Sequence, residues 1–190
     1  MTRKLIAAAA FAALASPLQG CFPLAVTGVG MGALMAADRR TTGTYIEDEG
    51  IEWKALARLR EISVGAHVNA TSFNRRVLLT GEAPTEATKT QIGEAIRTIP
   101  NVKEVANELQ IAGPSSLASR GNDALITSNV KARMVNNGKF SPQHVKVVTE
   151  AGVVYLMGLV SPTEGDAAVE VARNTSGVSR VVKVFEYIGQ

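Results

Sequence analysis

The pattern of apolar positions along the chain occurs twice. An apolar run that ends at glycine, Val77–Gly81, is followed by a proline and a Thr-Glu pair, and Val154–Gly158 is followed in the same way. A His-Val pair precedes each run by ten residues, at His67 and His144, so that both features are separated by 77 positions. A spacing kept over so long a stretch predicts a duplicated domain, and two copies are too few for a solenoid.

Each copy predicts the same order of elements, α-β-β-α-β. Apolar residues at helical spacing come first, two period-two strands flank a short turn, a threonine begins a second helix, and an apolar strand closes the copy. Leu79 and Leu156 are expected to point inward under the helices. The predicted fold class is α+β, with a small three-stranded mixed sheet and two helices on one face of each domain. Domains of about 65 residues are marginal alone, so the two should pack together.

Composition sets the predicted boundaries. Residues 45–111 and 122–188 are the two domains, and the Gly-, Pro- and Ser-rich stretch 112–121 is the linker. Glu47 to Glu49 are placed at the start of the first helix, where the helix dipole favours negative charge. Asn122 and Asp123 are expected to cap the first helix of the second domain.

Residues 1–20 have the composition of a processing signal. Arg3 and Lys4 precede an apolar, alanine-rich stretch, and the segment ends at Gly20 before Cys21, the only cysteine. Leu18 to Cys21 resembles the lipobox of bacterial lipoproteins, which implies lipidation of Cys21; Phe22 in place of aspartate implies outer-membrane sorting. The alternative is an ordinary secretory peptide followed by a stray cysteine.

Residues 21–44 are predicted to form a lipidated, flexible tether. Their apolar part is too short for a comfortable membrane span and too rich in glycine for an isolated helix. Gly28, Gly30 and Ala33 imitate a dinucleotide fingerprint, but such a fingerprint needs a preceding strand inside a βαβ unit. No nucleotide or other cofactor is expected.

Charge and motifs exclude several function classes. Residues 21–113 carry 10 basic and 11 acidic side chains, and residues 114–190 carry 8 and 6, so no nucleic-acid footprint is present. No HExxH, GxSxG, P-loop or Cys–His arrangement occurs, which predicts no enzyme and no small-molecule substrate. His67 and His144 begin equivalent strands in different domains, so no metal site is expected.

The repeated motif resembles the BON domain (bacterial OsmY and nodulation). Its V-x-L-x-G pattern occurs at Val77–Gly81 and Val154–Gly158, and its G/N-V-x-x-V pattern at Asn101–Val105 and Gly177–Val181. Two such domains behind a lipobox are similar to the dual-BON outer-membrane lipoproteins of the DolP type. That resemblance implies a non-catalytic, lipid-anchored protein that faces the periplasm and helps to maintain outer-membrane integrity.

The same resemblance implies a site. In that group the first helix of the second domain is implicated in contact with anionic phospholipid, which carries over to Leu125, Ile126, Asn129, Val130, Arg133 and Met134. Taken without the resemblance, the spacing favours Leu125, Val130 and Met134 as core residues, with the cations of the helix as a solvated face. An alternative function is a periplasmic scaffold that binds outer-membrane assembly or division proteins, which exposure of Tyr155 and Met157 would favour.

Overall fold

The computed structural model describes residues 38–62 and 65–189, all of which belong to one compact unit. The predicted signal peptide, Cys21 and most of the predicted tether lie outside these residues. The first domain contains α1 (Thr42–Ile62), β1 (His67–Phe73), β2 (Arg76–Ala83), α2 (Glu86–Arg97), β3 (Glu104–Asn107) and β4 (Gln110–Ile111). The second contains α3 (Leu117–Val135), a 3₁₀ turn (Pro142–His144), β5 (Val145–Glu150), β6 (Val153–Val160), α4 (Pro162–Arg173) and β7 (Arg180–Tyr187).

Each sheet is mixed and is built around its second strand. β2 pairs antiparallel with β1 and parallel with β3 and β4, and β6 pairs antiparallel with β5 and parallel with β7. The parallel pairs require a crossover, which α2 and α4 supply. The predicted α+β class and the αββαβ order are confirmed. The final strand of the first domain, expected to be continuous over 102–111, is instead broken between β3 and β4.

The two central strands are buried on both faces. Alternate residues of β2 and β6, among them Leu79 and Leu156, contact the helices of their own domain. Both leucines are fully buried, as predicted. The intervening residues Leu78, Tyr155 and Met157 belong to a different apolar cluster. Alternation of this kind places successive side chains on opposite faces of a sheet, so each strand serves two cores at once.

The second cluster joins the domains face to face. It combines Phe73 and Leu78 of the first domain with residues of the second domain's sheet: Val153, Tyr155, Met157, Leu159 and Val184. Polar contacts surround it, including Lys146 Nζ to Glu52 Oε1 at 2.8 Å and Asn74 Nδ2 to Glu186 Oε2 at 2.7 Å. The resulting layers are helices, sheet, sheet, helices. The sequence predicted that the domains pack together, and the structure identifies the sheets as the contacting faces.

A buried aspartate on the first helix of each domain holds the turn between the first two strands. Asp48 accepts hydrogen bonds from the backbone N–H groups of Asn74 and Arg75, at 2.8 and 2.7 Å. Asp123 does the same for Ala151 and Gly152, at 2.9 and 2.8 Å. All four turn residues have positive φ, as type I′ hairpin turns require. The carboxylates therefore satisfy the N–H groups of a turn that is strained for residues other than glycine.

The structure differs from two expected boundaries. Asp123 is not a helix cap: α3 begins at Leu117, within the expected linker 112–121, and the Ser116 side chain accepts from the N–H of Ser119. α1 likewise begins at Thr42, so Glu47 to Glu49 lie beyond its first turn. Residues 38–41, assigned to the tether, are fixed by ion pairs. Arg40 contacts Asp48 at 2.9 Å and Arg39 contacts Glu164 at 2.7 Å.

Candidate functional site

The predicted lipid-contact residues of α3 divide between two sides of the helix. Ile126, Val130 and Met134 are buried in the core of the second domain, where they pack beneath β5 and β6. Leu125, Asn129 and Arg133 are exposed. The first three therefore hold the helix in place, and only the other three are available to a membrane. The reading of Leu125 as a core residue is wrong, because 65% of its surface is exposed.

The side of α3 opposite the core carries large exposed apolar residues. At 100° per residue, one exposed stripe runs along the helix. We call it the outward stripe: Leu117, Gly121, Leu125, Ser128, Ala132 and Val135. Leu117 is 83% exposed and Val135 is 67% exposed. Three leucine or valine side chains therefore face water along this stripe, whereas an ordinary surface helix presents polar residues there.

Two cations flank the outward stripe. Lys131 and Arg133 are exposed on either side of it. Within residues 38–62 and 65–189, neither forms an ion pair with a carboxylate. Lys139, by contrast, lies 3.4 Å from Glu170, and the guanidinium of Arg120 donates to the Ser115 carbonyl at 3.0 Å. The surface thus combines exposed apolar side chains with two cations available to anions.

Sequence reasoning missed both ends of the stripe. Leu117 lay in the expected linker, and Val135 was not connected to it. The available signal was their separation of 18 residues, five helical turns, which places two exposed apolar residues on one side of a continuous helix. The Gly-Pro-Ser-Ser sequence before Leu117 concealed the start of that helix, because its composition is typical of a loop.

The residues whose exposure would have favoured a protein scaffold are buried. Tyr155 and Met157 are each 1% exposed, because the first domain's sheet covers them. They stabilise the contact between the domains and are not available to another protein.

Comparison with known proteins identifies the repeated unit. The BON domain family model matches residues 53–113 and 122–189, which together make up more than half of the chain. The chain belongs to the BON-domain family. Each BON match begins within the first helix of its domain, so the helices α1 and α3 are only partly covered by the family's pattern.

Several relatives align with most of the chain. The chain is 38% identical over 174 residues to a protein of Haemophilus influenzae named "Outer membrane lipoprotein DolP", with 90% of each chain covered. It is 34% identical over 154 residues to the "21 kDa hemolysin" of Actinobacillus pleuropneumoniae, covering 80% of this chain and 79% of that protein. It is 25% identical to "Osmotically-inducible protein Y" of Escherichia coli, covering 82% and 80%. The predicted dual-BON, DolP-type architecture is confirmed.

Proposed function

We propose that the protein is a non-catalytic, lipid-anchored protein of the outer membrane, facing the periplasm. Its second BON domain binds anionic phospholipid through the outward stripe of α3 and thereby helps to maintain envelope integrity. Similarity to a protein named as an outer-membrane lipoprotein supports the location. None of the helices in residues 38–62 and 65–189 is long and apolar enough to cross a membrane. The proposed lipid anchor is attached to Cys21, which lies outside these residues. Labelling with an alkyne fatty acid tests whether Cys21 is lipidated.

The observation that carries the lipid proposal is the combination of Leu125 with Lys131 and Arg133. An interfacial helix buries an apolar side at the boundary between headgroups and acyl chains, with cations beside it. Each cation near an anionic surface contributes about 1 kcal/mol, an attraction that falls within a Debye length of about 10 Å at 0.1 M salt. Burying a leucine adds about 1.5–3 kcal/mol. Binding of a single domain is therefore weak and salt-dependent, and the lipid anchor keeps α3 close to the membrane.

The chain length between the anchor and the first domain permits this contact. Seventeen peptide units separate Cys21 from Asp38, and at 3.3–3.6 Å per residue they span at most about 60 Å. Asp38 precedes Arg39, which is bound to the second domain through Glu164. Lys131 of α3 and Arg40 help to line the same cavity. The chain therefore enters the folded unit on the side that carries α3.

Flotation with vesicles tests the proposal. The fragment 36–190, which omits the anchor, is mixed with vesicles of neutral lipid, with or without anionic phospholipid. We expect it to float only with anionic vesicles and to dissociate as salt rises. Leu125→Glu should weaken binding more than tenfold without lowering the melting temperature, because the residue is exposed.

A pair of matched variants localises the effect. Lys131→Glu with Arg133→Glu reverses two cations on α3 and should weaken binding by about 2–4 kcal/mol, or at least 30-fold. Lys54→Glu with Arg58→Glu makes the same charge change on α1 and should have little effect. Equal losses in both variants would mean that net charge alone drives binding. A folded Leu125→Glu fragment that still floats undiminished would refute the proposed site.

A further inference from the structure

Three ionisable side chains meet where the two BON domains join. His67 begins β1, Glu82 lies near the end of β2, and Glu150 ends β5 of the other domain. His67 Nδ1 lies 3.2 Å from Glu82 Oε2 and 3.9 Å from Glu150 Oε1. One donor atom from each side chain lies within 4.8 Å of the others. The cluster therefore brings one nitrogen and two carboxylates from both domains to a single point.

Both carboxylates are almost completely buried. Glu82 and Glu150 are each 5% exposed. Burial raises the pKa of Glu150, and the charges of Glu82 and Asp123 raise it further, while Asn69 and His67 lower it. Two like charges held so close, away from water, are unfavourable unless a cation compensates them.

Hydrogen bonds hold the carboxylates in orientation. Glu82 Oε2 accepts from the backbone N–H of Ser115 at 3.0 Å, and Glu150 Oε2 accepts from Asn69 Nδ2 at 3.1 Å. The other oxygen of Glu150 faces His67 beyond hydrogen-bond distance. The backbone of His67 also approaches β2 closely, because a Cβ at Gly81 would lie 2.0 Å from the His67 carbonyl oxygen. Metal ligands are typically positioned by such outer hydrogen bonds.

We propose that His67, Glu82 and Glu150 form a Zn²⁺ site that links the two domains. A tetrahedral ion with bonds of about 2.0–2.2 Å holds its donor atoms about 3.3–3.6 Å apart. The two distances from His67 Nδ1, 3.2 and 3.9 Å, are close to that range. The carboxylate donors of Glu82 and Glu150, which lie within 4.8 Å of each other, would take up the same spacing on binding. Imidazole and carboxylate are ligands that suit Zn²⁺. A cavity of ≈ 300 Å³ that His67, Asn69 and Glu150 help to line leaves room for water as the fourth ligand.

The duplication itself argues that the cluster is not a by-product of the fold. At the interval of 77 residues, His144 corresponds to His67, but Leu159 corresponds to Glu82 and Phe73 to Glu150. His144 lies 3.7 Å from the carboxylate of Glu164, which is not at a position equivalent to Glu82 or Glu150. The second domain thus repeats the histidine without the two acids. A bound ion would contact both domains and would stabilise their association, because it binds the docked arrangement most tightly.

Titration with zinc tests the site in the mature chain purified in detergent, where the proposed acylation of Cys21 leaves no free thiol to compete. After treatment with chelator, calorimetry with Zn²⁺ should give one ion per chain and a higher melting temperature. Glu150→Gln and His67→Gln should each weaken binding more than tenfold, whereas His144→Gln should leave it unchanged. Co²⁺ should give visible absorption that both site variants lose, a readout independent of stability. An absence of stoichiometric binding, or equal binding in all variants, would overturn the proposal and leave the cluster as an ion pair.

Discussion

The helices α1 and α3 occupy the same place in the two domains but present different surfaces to water. An interval of 75 residues relates their buried positions: Asp48 and Asp123 hold the turns, and Ile51, Ala55 and Leu59 correspond to Ile126, Val130 and Met134. Their outward positions differ. Gly50 stands where α3 has Leu125, and Trp53 where α3 has Ser128.

The outward sides of α1 and α3 differ in the charged residues that surround their apolar side chains. α1 exposes apolar residues, Trp53 at 69%, but acidic and basic side chains are mixed around them. Arg58 is paired with Glu61 at 3.3 Å and Arg75 contacts Glu47 at 3.4 Å. On α3, Lys131 and Arg133 are accompanied by one acid, the buried Asp123. The repeat therefore preserves the buried positions of α1 and α3 that hold the fold. The two domains differ in the exposed residues of these helices.

The largest expected effect tests whether the two cores are equivalent. Leu79→Ala and Leu156→Ala should each destabilise their domain by about 2–5 kcal/mol, because both side chains are fully buried in a packed core. Thermal unfolding followed by calorimetry measures the loss. Two variants that melt like the parent would contradict the register of the central strands.

Removing the buried aspartate should destabilise the first domain more than the second. Asp48→Ala removes four interactions, those with Ser72 Oγ, Asn74 N, Arg75 N and Arg40. Asp123→Ala removes two, those with Ala151 N and Gly152 N. At about 1–3 kcal/mol for each buried group left unsatisfied, Asp48→Ala should be clearly more destabilising. Urea denaturation of both variants checks the order, and an equal or reversed effect would disprove this account of the turns.

A leucine placed on α1 sharpens the contrast between the helices. Nothing lies within 4 Å of a Cβ built at Gly50, so Gly50→Leu fits without a clash. It should stabilise the chain by about 0.5–1 kcal/mol, because glycine is unfavourable inside a helix. We expect no gain in flotation with anionic vesicles, since α1 lacks the excess of cations. Binding that rises to the level contributed by α3 would show that apolar surface alone is sufficient.

The smallest effect concerns the residues just before α1. The Arg39 guanidinium, together with hydrogen bonds from Ser161, lowers the pKa of Glu164 from 4.5 to about 2. A lowered pKa in the folded state stabilises the fold above the ordinary pKa, and this contribution is lost as pH falls from about 4.5 towards 2. Glu164→Gln keeps a side chain that can complete the helix cap but removes the charge. The difference in melting temperature between the parent and Glu164→Gln should therefore shrink between pH 5 and pH 3, and a constant difference would contradict it.

The sequence predicted what depends on local periodicity. The order of elements, the inward Leu79 and Leu156, and the short turn between the first two strands of each domain all follow from spacing along one strand or helix. The start of α3 did not, because a side-chain cap at Ser116 overrides a loop-like composition.

Contacts between residues far apart in the chain also could not be predicted from the sequence. His67 and Glu150 are 83 positions apart, and only the packing of sheet on sheet brings them together. The same packing buries Tyr155 and Met157, which their own domain would leave exposed. Burial on the second face of a strand depends on the partner domain, which spacing along the strand does not reveal.

The central claim is that α3, and not α1, lies at the surface of anionic membranes. A nitroxide label attached to Leu125→Cys or to Gly50→Cys in the fragment 36–190, which contains no other cysteine, reports the depth of each helix by its accessibility to oxygen and to a water-soluble relaxation agent. With anionic vesicles, the label at position 125 should become accessible to oxygen and protected from the water-soluble agent, while the label at position 50 stays in water. A label at position 125 that remains fully in water while the fragment is bound to vesicles would contradict the account.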